Sequence, residues 1–343
     1  MKFIIILKRN LLSIIFCLFT ISLVIFSNES LSAAKSGLLL WANSVIPSLL
    51  PFFIATELLL QTNIVDHLGR FLNFIMRPLF NVPGIGGVAF IMGIISGYPI
   101  GAKISADLRE QNLITKTEAT RLISFTNNSG PLFIIGTVGI FMFGNSLVGI
   151  LLFITHILAS LSVGFLFRFY NLNDNSNYTF SKKTYYNKSA PNISIGDMLS
   201  KSISNAINHI VIIGGFIVLF SVVLSILKET RFLQLLSSFL YPIFNLLNVT
   251  EFTNGFVCGI VELTNGLNQI TSINIKAIST NIIFCAFLLG FGSVSILFQV
   301  LSIVSKTDIS IKPYIYAKLL HGFLAAIYTF LFIHHFAFLN LNI

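Results

Sequence analysis

Residues 93–103 read Gly-Ile-Ile-Ser-Gly-Tyr-Pro-Ile-Gly-Ala-Lys, an apolar run interrupted at Tyr98-Pro99. Residues 259–269 read Gly-Ile-Val-Glu-Leu-Thr-Asn-Gly-Leu-Asn-Gln, with polar residues at a predicted tip at 264–266. Proline lacks a backbone donor and disfavours helix at the residue before it, so the first run is expected to break at its centre. Broken helices at corresponding places in two halves of a chain are typical of secondary transporters.

The composition around these two runs is that of a polytopic membrane protein. Of the 343 residues, 55% are hydrophobic and 10% are charged, and the mean hydropathy is +0.88. A soluble core of this length could not bury so much apolar surface. The formal net charge of +9 falls mainly in loops between apolar runs, a pattern that sets orientation in a membrane. We therefore expect the lipid bilayer, and no nucleic acid, as a partner.

Hydropathy predicts seven full-length spans, which cover residues 10–27, 37–60, 118–142, 146–168, 206–227, 275–304 and 313–336. The positive-inside rule places the N-terminus in the cytoplasm, because most Lys and Arg residues then fall in cytoplasmic loops. One of these basic sets is Lys306, Lys312 and Lys318.

The predicted fold class is an all-α polytopic membrane protein with two inverted-topology repeats, each containing a re-entrant helical hairpin and an interrupted helix. The amphipathic helix of each half ends in Pro-x-Phe-Asn, at 78–81 and at 242–245, which supports the alignment of the halves. The predicted parts are an N-terminal span (1–36), repeat 1 (37–169, with its hairpin at 85–114 and its interrupted span at 118–142), a cytoplasmic linker (170–205) and repeat 2 (206–343, with its hairpin at 252–274 and its interrupted span at 275–304).

Four interruptions, at 98–99, 127–131, 264–266 and 290–293, each start a half-helix with free backbone N–H groups. Helix N-termini attract anions and polar ring atoms, so their convergence predicts a binding site. Ser129 and Ser293 are expected to cap the half-helices that follow the two breaks within spans. The candidate substrate-binding residues are Ser96, Gly97, Tyr98, Pro99, Gly101, Lys103, Asn127, Asn128, Ser129, Gly130, Glu262, Thr264, Asn265, Gly292 and Ser293.

Lys103 and Glu262 carry the charge of this predicted site. Lys103 follows the first tip, where the helix dipole and the ammonium both attract a carboxylate; alternatively, it reaches water or pairs with Asp107. Glu262 would pair with Lys103 in the empty state or bind a coupling proton or cation, unless it only faces an aqueous vestibule. The asparagines would bind a polar substrate or only satisfy backbone groups that the breaks leave free.

The sequence gives no support for an enzyme, a cofactor or a metal site. It contains no Ser-His-Asp order, no HExxH motif and no Walker loop. His156, His209 and His321 fall singly in separate apolar spans, where polar core histidines are expected. The three cysteines are scattered through apolar spans, without the spacing of metal ligands.

Three stretches of sequence, one of which contains the run at 93–103, carry a family resemblance. They are Val-Ile-Pro-Ser-Leu-Leu-Pro-Phe-Phe at 45–53, Met-Gly-Ile-Ile-Ser-Gly-Tyr-Pro-Ile-Gly-Ala-Lys at 92–103 and Phe-Thr-Asn-Asn-Ser-Gly-Pro-Leu-Phe at 125–133. They resemble the YlbJ (SpoVV) family of sporulation integral membrane proteins, within the wider nucleoside-recognition or Gate-domain group. The resemblance implies an arrangement like that of concentrative nucleoside transporters. It also implies a role in spore formation, moving dipicolinate made in the mother cell across the outer forespore membrane. Tyr98 would then stack on the pyridine ring, and Lys103 would contact a carboxylate.

Two alternatives stay open at this point. The same site would suit a nucleoside or another nitrogenous ring, and a structural protein of the spore envelope would use the hairpins only to fill a core. The sequence also leaves open the coupling mode and the oligomeric state, a homo-oligomer included.

Overall fold

The computed structural model describes residues 2–60, 64–172, 194–273 and 278–335, and these form helices joined by short turns. The first half consists of α1 (Lys2–Ile25), α2 (Ser27–Leu40), a π-helical turn (Trp41–Val45), α3 (Ile46–Leu60), α4 (Ile64–Phe80), α5 (Gly86–Ser96), α6 (Ile100–Glu110), α7 (Lys116–Thr126), a π-helix (Leu132–Met142) and α8 (Ser146–Phe167). The second half consists of α9 (Ile195–Glu229), α10 (Phe232–Leu246), a 3-10 turn (Thr250–Phe252), α11 (Thr253–Val261), α12 (Leu263–Thr271), α13 (Ile278–Phe291), α14 (Val294–Val304) and α15 (Ile311–His335). The predicted all-helical class is confirmed for the described residues.

The second half repeats the element order of the first. In each half a long helical stretch, residues 27–60 in the first half and α9 in the second, precedes a shorter helix with proline near its end, at Pro78 in α4 and Pro242 in α10. A helical pair, a broken helix and a final long helix follow in both halves. Corresponding helices also pack together, since α2 and α3 lie along α9 and α8 lies along α15.

In the described part of the chain, four helices are long and apolar enough to cross a membrane, Ser146–Phe167, Ile195–Glu229, Ile278–Val304 and Ile311–His335. A fifth span results if Ser13–Ile25 and Ser27–Asn43, which meet at an angle of 99°, are counted as one. The difference from the seven predicted spans arises partly at 118–142, where two 11-residue helices flank a non-helical break. The apolar helices agree with an integral membrane protein, as the composition predicted.

The breaks occur close to the predicted places. Residues 97–99 separate α5 from α6, residues 127–130 follow α7, and residues 292–293 separate α13 from α14. The second helical pair turns earlier than expected: Glu262 forms the break, whereas residues 264–266 belong to the first turn of α12. The tip lies at Glu262 and not at the small polar residues, because the Glu262 carboxylate caps the helix that follows.

The two predicted serine caps have different outcomes. Ser293 caps α14, since its Oγ accepts a hydrogen bond from the N–H of Ile296 at 3.3 Å. The prediction for Ser129 is wrong, because the π-helix after it has no side-chain cap. The N–H groups of Phe133 and Ile134, in its first turn, instead bond to the carbonyl of Gly130.

Part of the predicted linker, residues 173–193, lies outside the described residues, as do residues 274–277, where the second predicted hairpin (252–274) meets the predicted interrupted span (275–304). The first helix of the second half begins at Ile195, earlier than the predicted span at 206–227. Ser194 caps this helix by accepting a hydrogen bond from the N–H of Asp197 at 3.1 Å.

Two apolar cores fill the molecule, and each surrounds one helical pair. The first core includes α5, α6 and α7, and the second includes α12 and α13. The broken helices pass from one core to the other, since Phe125 before the first break lies in one core and Ile134 after it lies in the other. Along α15, Ala317 belongs to the first core and Ala325 to the second. Polar residues at the breaks are thereby held between the cores.

Candidate functional site

Lys318 lies at the centre of the polar residues between the two cores. It belongs to α15 and has 0% solvent exposure. Its Nζ donates hydrogen bonds to the hydroxyl of Tyr98 at 3.0 Å and to the carbonyl of Asn127 at 3.2 Å, and it contacts Nδ1 of His321 at 3.3 Å. An ammonium group has three donors, so these three contacts account for all of them.

The tip of the first helical pair reaches this centre because glycines let it approach the end of α7. A Cβ on either Gly93 or Gly101 would overlap with the carbonyl oxygen of Thr126. Gly97, at a φ of 79°, packs on the backbone of Gly130. The two arms of the pair thus hold the first break between them.

Tyr98 connects the tip to the second break. Its hydroxyl donates a hydrogen bond to the carbonyl of Leu289 at 3.2 Å while accepting one from Lys318. Gly292, with a φ of 83°, provides the turn beside it, and a Cβ at that position would lie 3.5 Å from the hydroxyl. Tyr98 is followed by a cis peptide bond to Pro99. The turn of the first helical pair and the first break therefore meet at Lys318, and Tyr98 connects them to the second break.

Two histidines complete the cluster. His156 is the eleventh residue of α8 and His321 the eleventh of α15, so they occupy matching positions in the final helices of the two halves. Their ring centroids lie 4.5 Å apart, and both side chains are buried.

The hydrogen bonds define the protons on these rings. His156 Nε2 accepts from the backbone N–H of Ser129 at 3.2 Å, so a neutral ring carries its proton on Nδ1. His321 Nε2 lies 3.0 Å from the carbonyl oxygen of His156, which can only accept, so this nitrogen carries the proton. His321 Nδ1 is left with a lone pair directed at Lys318.

Several buried polar atoms around the first break have no hydrogen-bond partner among the described residues. They include Oδ1 of Asn127, Oδ1 of Asn128 and Nδ1 of His156, and these three residues are at most 1% exposed. The amide nitrogen of Asn127 donates to the hydroxyl of Tyr314 at 2.7 Å. Buried polar groups are normally paired, so unpaired atoms beside a buried ammonium indicate a place for a polar ligand.

Within the described part of the chain, no carboxylate forms an ion pair with Lys318; its partners are the phenol, the carbonyl and the imidazole given above. Its Nζ also lies 5.1 Å from the centre of the Tyr98 ring. A buried charge without a counter-charge is unfavourable, and a bound anion would relieve this cost.

Lys103, the predicted anion contact, lies in a different cluster. Its Nζ contacts Glu57 Oε1 at 3.3 Å and His209 Nε2 at 2.7 Å, so it bridges α6 to α3 and α9. Glu57 also accepts a hydrogen bond from Asn205 Nδ2 at 2.8 Å. The ion pair that Lys103 forms is therefore with Glu57. It is neither the predicted pair with Asp107 nor the predicted pair with Glu262.

The predicted residues of the second tip interact among themselves. Glu262 accepts hydrogen bonds from the N–H groups of Thr264 and Asn265, at 3.1 and 2.8 Å, and from Nδ2 of Asn265 at 2.8 Å. The carboxylate therefore caps its own half-helix, and none of its hydrogen bonds reaches Lys318 or Lys103. A carboxylate at a helix N-terminus is stabilised by the helix dipole, which explains its buried position.

The structure thus divides the predicted site residues. The set that lies at the Lys318 cluster or forms the breaks and close approaches around it is Ser96, Gly97, Tyr98, Pro99, Gly101, Asn127, Asn128, Ser129, Gly130, Gly292 and Ser293. Lys103, Glu262, Thr264 and Asn265 form the separate contacts just described. The assignment of Lys318 to a basic cytoplasmic loop is wrong, because this residue is fully buried in α15.

Sequence reasoning also missed His156, His321 and Tyr314 as members of this cluster. The available signal was a lysine and a histidine three positions apart, Lys318 and His321, within an otherwise apolar helix. Residues at that spacing share one face of a helix.

Comparison with known proteins gives two findings. Residues 42–167 match the Gate family, described as nucleoside recognition. Over 335 residues the chain is 36% identical to the sporulation integral membrane protein YlbJ of Bacillus subtilis (strain 168), with 94% of this chain and 82% of the relative covered. No solved structure gave a significant match.

Proposed function

Because this chain belongs to the family of the sporulation integral membrane protein YlbJ, we propose that it is a transporter that moves dipicolinate across the outer forespore membrane. Dipicolinate is a pyridine ring with two carboxylates. The proposal therefore requires a site that compensates negative charge and accepts a flat ring away from water.

The buried Lys318 carries this proposal. Its ammonium is held by neutral groups at the meeting point of a hairpin tip and two helix breaks. Leaving one charge of a buried ion pair uncompensated costs about 3–5 kcal/mol, so a carboxylate that pairs with this lysine would relieve that penalty, less the cost of its own desolvation. Tyr98 offers an aromatic surface beside the ammonium, and the unpaired amide oxygens of Asn127 and Asn128 accept hydrogen bonds from solute or from water carried with it.

The fold supports a transport mechanism. We propose that the two halves are inverted-topology repeats with re-entrant hairpins, that the Lys318 cluster lies near the middle of the bilayer, and that the N-terminus is cytoplasmic. The repeated element order and the pairwise packing of corresponding helices support this arrangement. Movement of one hairpin unit against the remaining helices would expose the site to each side in turn. Such a carrier would resemble concentrative nucleoside transporters and would function alone or as a homo-oligomer.

A second candidate is a carrier of nucleosides or other nitrogenous rings. The match of residues 42–167 to the nucleoside-recognition family favours it. Neutral nucleosides would use the unpaired amide oxygens but would leave the Lys318 charge uncompensated.

The test is uptake of radiolabelled dipicolinate into liposomes that contain the purified protein. We expect saturable uptake that excess unlabelled dipicolinate blocks and that nucleosides block weakly. Lys318→Met should abolish uptake, because methionine keeps most of the side-chain volume and removes the charge. Lys312→Met is the matched control and should retain the apparent KM, since Lys312 is an exposed lysine near the start of the same helix.

Two results would contradict the proposal. Absence of uptake by folded wild-type protein would favour a structural role in the envelope. Strong competition by nucleosides, with uptake unaffected by Lys318→Met, would favour the second candidate. Dipicolinate binding to detergent-purified protein, measured by calorimetry, separates a loss of binding from a loss of movement.

A further inference from the structure

The two buried histidines beside Lys318 bear on how a doubly charged solute enters the site. Dipicolinate is a dianion near neutral pH, because carboxyl groups ionise at about pH 4 or below. Lys318 compensates one of the two charges, and a second unpaired charge in an apolar interior would be strongly unfavourable. Building on the dipicolinate transport proposed above, we propose that His321 takes up one proton with each dianion, so that the protein co-transports H⁺ and dipicolinate.

The hydrogen bonds of His321 identify the atom that would take the proton. Its Nε2 already carries a proton, which it donates to the carbonyl of His156 at 3.0 Å. Its Nδ1 has a lone pair, and the only group on that lone pair among the described residues is the ammonium of Lys318 at 3.3 Å. This contact is the longest of the three that Lys318 makes, the others being 3.0 and 3.2 Å.

Binding of an anion changes the environment of this nitrogen. In the empty site, Lys318 occupies the lone pair and its positive charge opposes a second charge on His321. A carboxylate that draws the ammonium away frees the lone pair and supplies negative charge in its place. A proton from water then binds to Nδ1, and the imidazolium donates to the second carboxylate. Since the anion favours the proton, the proton must favour the anion to the same extent.

Lys318 already donates to three acceptors as an ammonium, so it has no site for a further proton, and the other titratable groups around His321 do not take it either. On its own helix these are Lys318 and Tyr314, on the hairpin tip Tyr98, and on α8 His156. Tyrosines are neutral at pH 7, since their ordinary pKa is about 10. His156 uses its Nε2 lone pair for the N–H of Ser129. It therefore stays neutral, with an unpaired Nδ1–H as a further donor to the anion.

The first experiment measures protons released or taken up when dipicolinate binds to the detergent-purified protein in weakly buffered solution at pH 7. We expect close to one proton taken up per dipicolinate bound. His321→Gln should still bind at saturating dipicolinate but take up almost none, because the glutamine amide donates to the His156 carbonyl and accepts from Lys318 without binding a proton. His334→Gln is the matched control, since His334 is exposed near the end of the same helix and should leave the stoichiometry unchanged.

The second experiment uses liposomes with an imposed pH gradient. With acid outside, the wild type and His334→Gln should accumulate dipicolinate several-fold above the external concentration, whereas His321→Gln should only equilibrate it. Protein-free liposomes measure passive entry of the protonated solute.

The outcomes separate this inference from the transport proposal. Uptake that does not depend on the pH gradient, or dipicolinate binding without proton uptake by the wild type, would refute proton coupling. Neither result would contradict the transport proposal. An unchanged proton stoichiometry in His321→Gln would refute the assignment to this residue. If His321→Gln does not fold, the wild-type affinity decides: it should fall about tenfold per pH unit above neutrality, and a pH-independent affinity would overturn the inference. Wild-type protein that neither binds nor transports dipicolinate would overturn both proposals.

Discussion

Removing Lys103 should destabilise the protein more than neutralising its partner Glu57, although both changes break the same ion pair. The Lys103 side chain is 27% exposed, whereas that of Glu57 is 8% exposed. Lys103→Met therefore leaves a buried carboxylate without its cation, at a cost of about 3 kcal/mol. This value is the low end of the roughly 3–5 kcal/mol that breaking a buried ion pair costs, because Asn205 and His209 remain beside the carboxylate. Glu57→Gln keeps a hydrogen-bond acceptor and leaves a lysine that can reach water, so it should cost about 1 kcal/mol.

Trp41 provides the assay. It is the only tryptophan in the chain, and its Nε1 donates to the carbonyl of Ile210 at 2.9 Å, next to His209 on α9. Its fluorescence during SDS titration in mixed micelles should report the unfolding free energy of each variant. The double variant should lose about 2 kcal/mol less than the two single losses added together, because it leaves no buried charge unpaired. Equal losses for Lys103→Met and Glu57→Gln, or simple additivity, would refute this reasoning.

Two further predictions concern stability. Gly101→Ala should destabilise the protein by about 1–3 kcal/mol, because the new Cβ would overlap the Thr126 carbonyl, while Gly215→Ala, with nothing within 4 Å of its Cβ position, should be neutral or slightly stabilising in the same SDS titration. Arg109 donates two hydrogen bonds to Asp308, at 2.8 and 2.9 Å, and thereby holds the pKa of that exposed carboxyl below its usual value. The pair therefore stabilises the fold above about pH 4 and loses its effect as the pH falls through the lowered pKa. At pH 7 Asp308→Asn should cost less than about 1 kcal/mol, and a difference from wild type that persists at pH 2 or in high salt would contradict this account.

Much of the fold follows from local chemistry that the sequence displays. Glycine, proline and asparagine within apolar runs predict the breaks at 97–99 and 127–130, because those residues interrupt helices wherever they occur together. The start of α9 at Ile195 was not predictable from hydropathy, since residues 195–205 are polar and become helical without being apolar. The position of Glu262 at the second break depends on its bonds to the following N–H groups, which hydropathy does not detect.

The helix breaks that form the site were predictable from the sequence, whereas the lysine that supplies its charge was not. The tip at Tyr98 and the break at Asn127 were predicted, because breaks are local features. Which lysine lies at the site depends on the direction in which its side chain extends. From α6, the side chain of Lys103 extends to Glu57 on α3 and His209 on α9, away from the breaks. Lys318 is 191 residues from Asn127 in sequence, and only the packing of α15 against α7 and α8 brings it to the break.

In the proton-coupled cycle proposed above, the buried Lys318 also determines how the membrane potential would act. With a dianion and one proton bound, the site at Lys318 is electrically neutral, whereas the empty site carries one positive charge. The membrane potential would then act on the return of the empty carrier and not on the loaded one. Moving that charge across the whole bilayer corresponds to about 2.3 kcal/mol for each 100 mV. A potential that is negative on the side where dipicolinate is released would therefore slow the cycle, although the solute itself crosses without net charge.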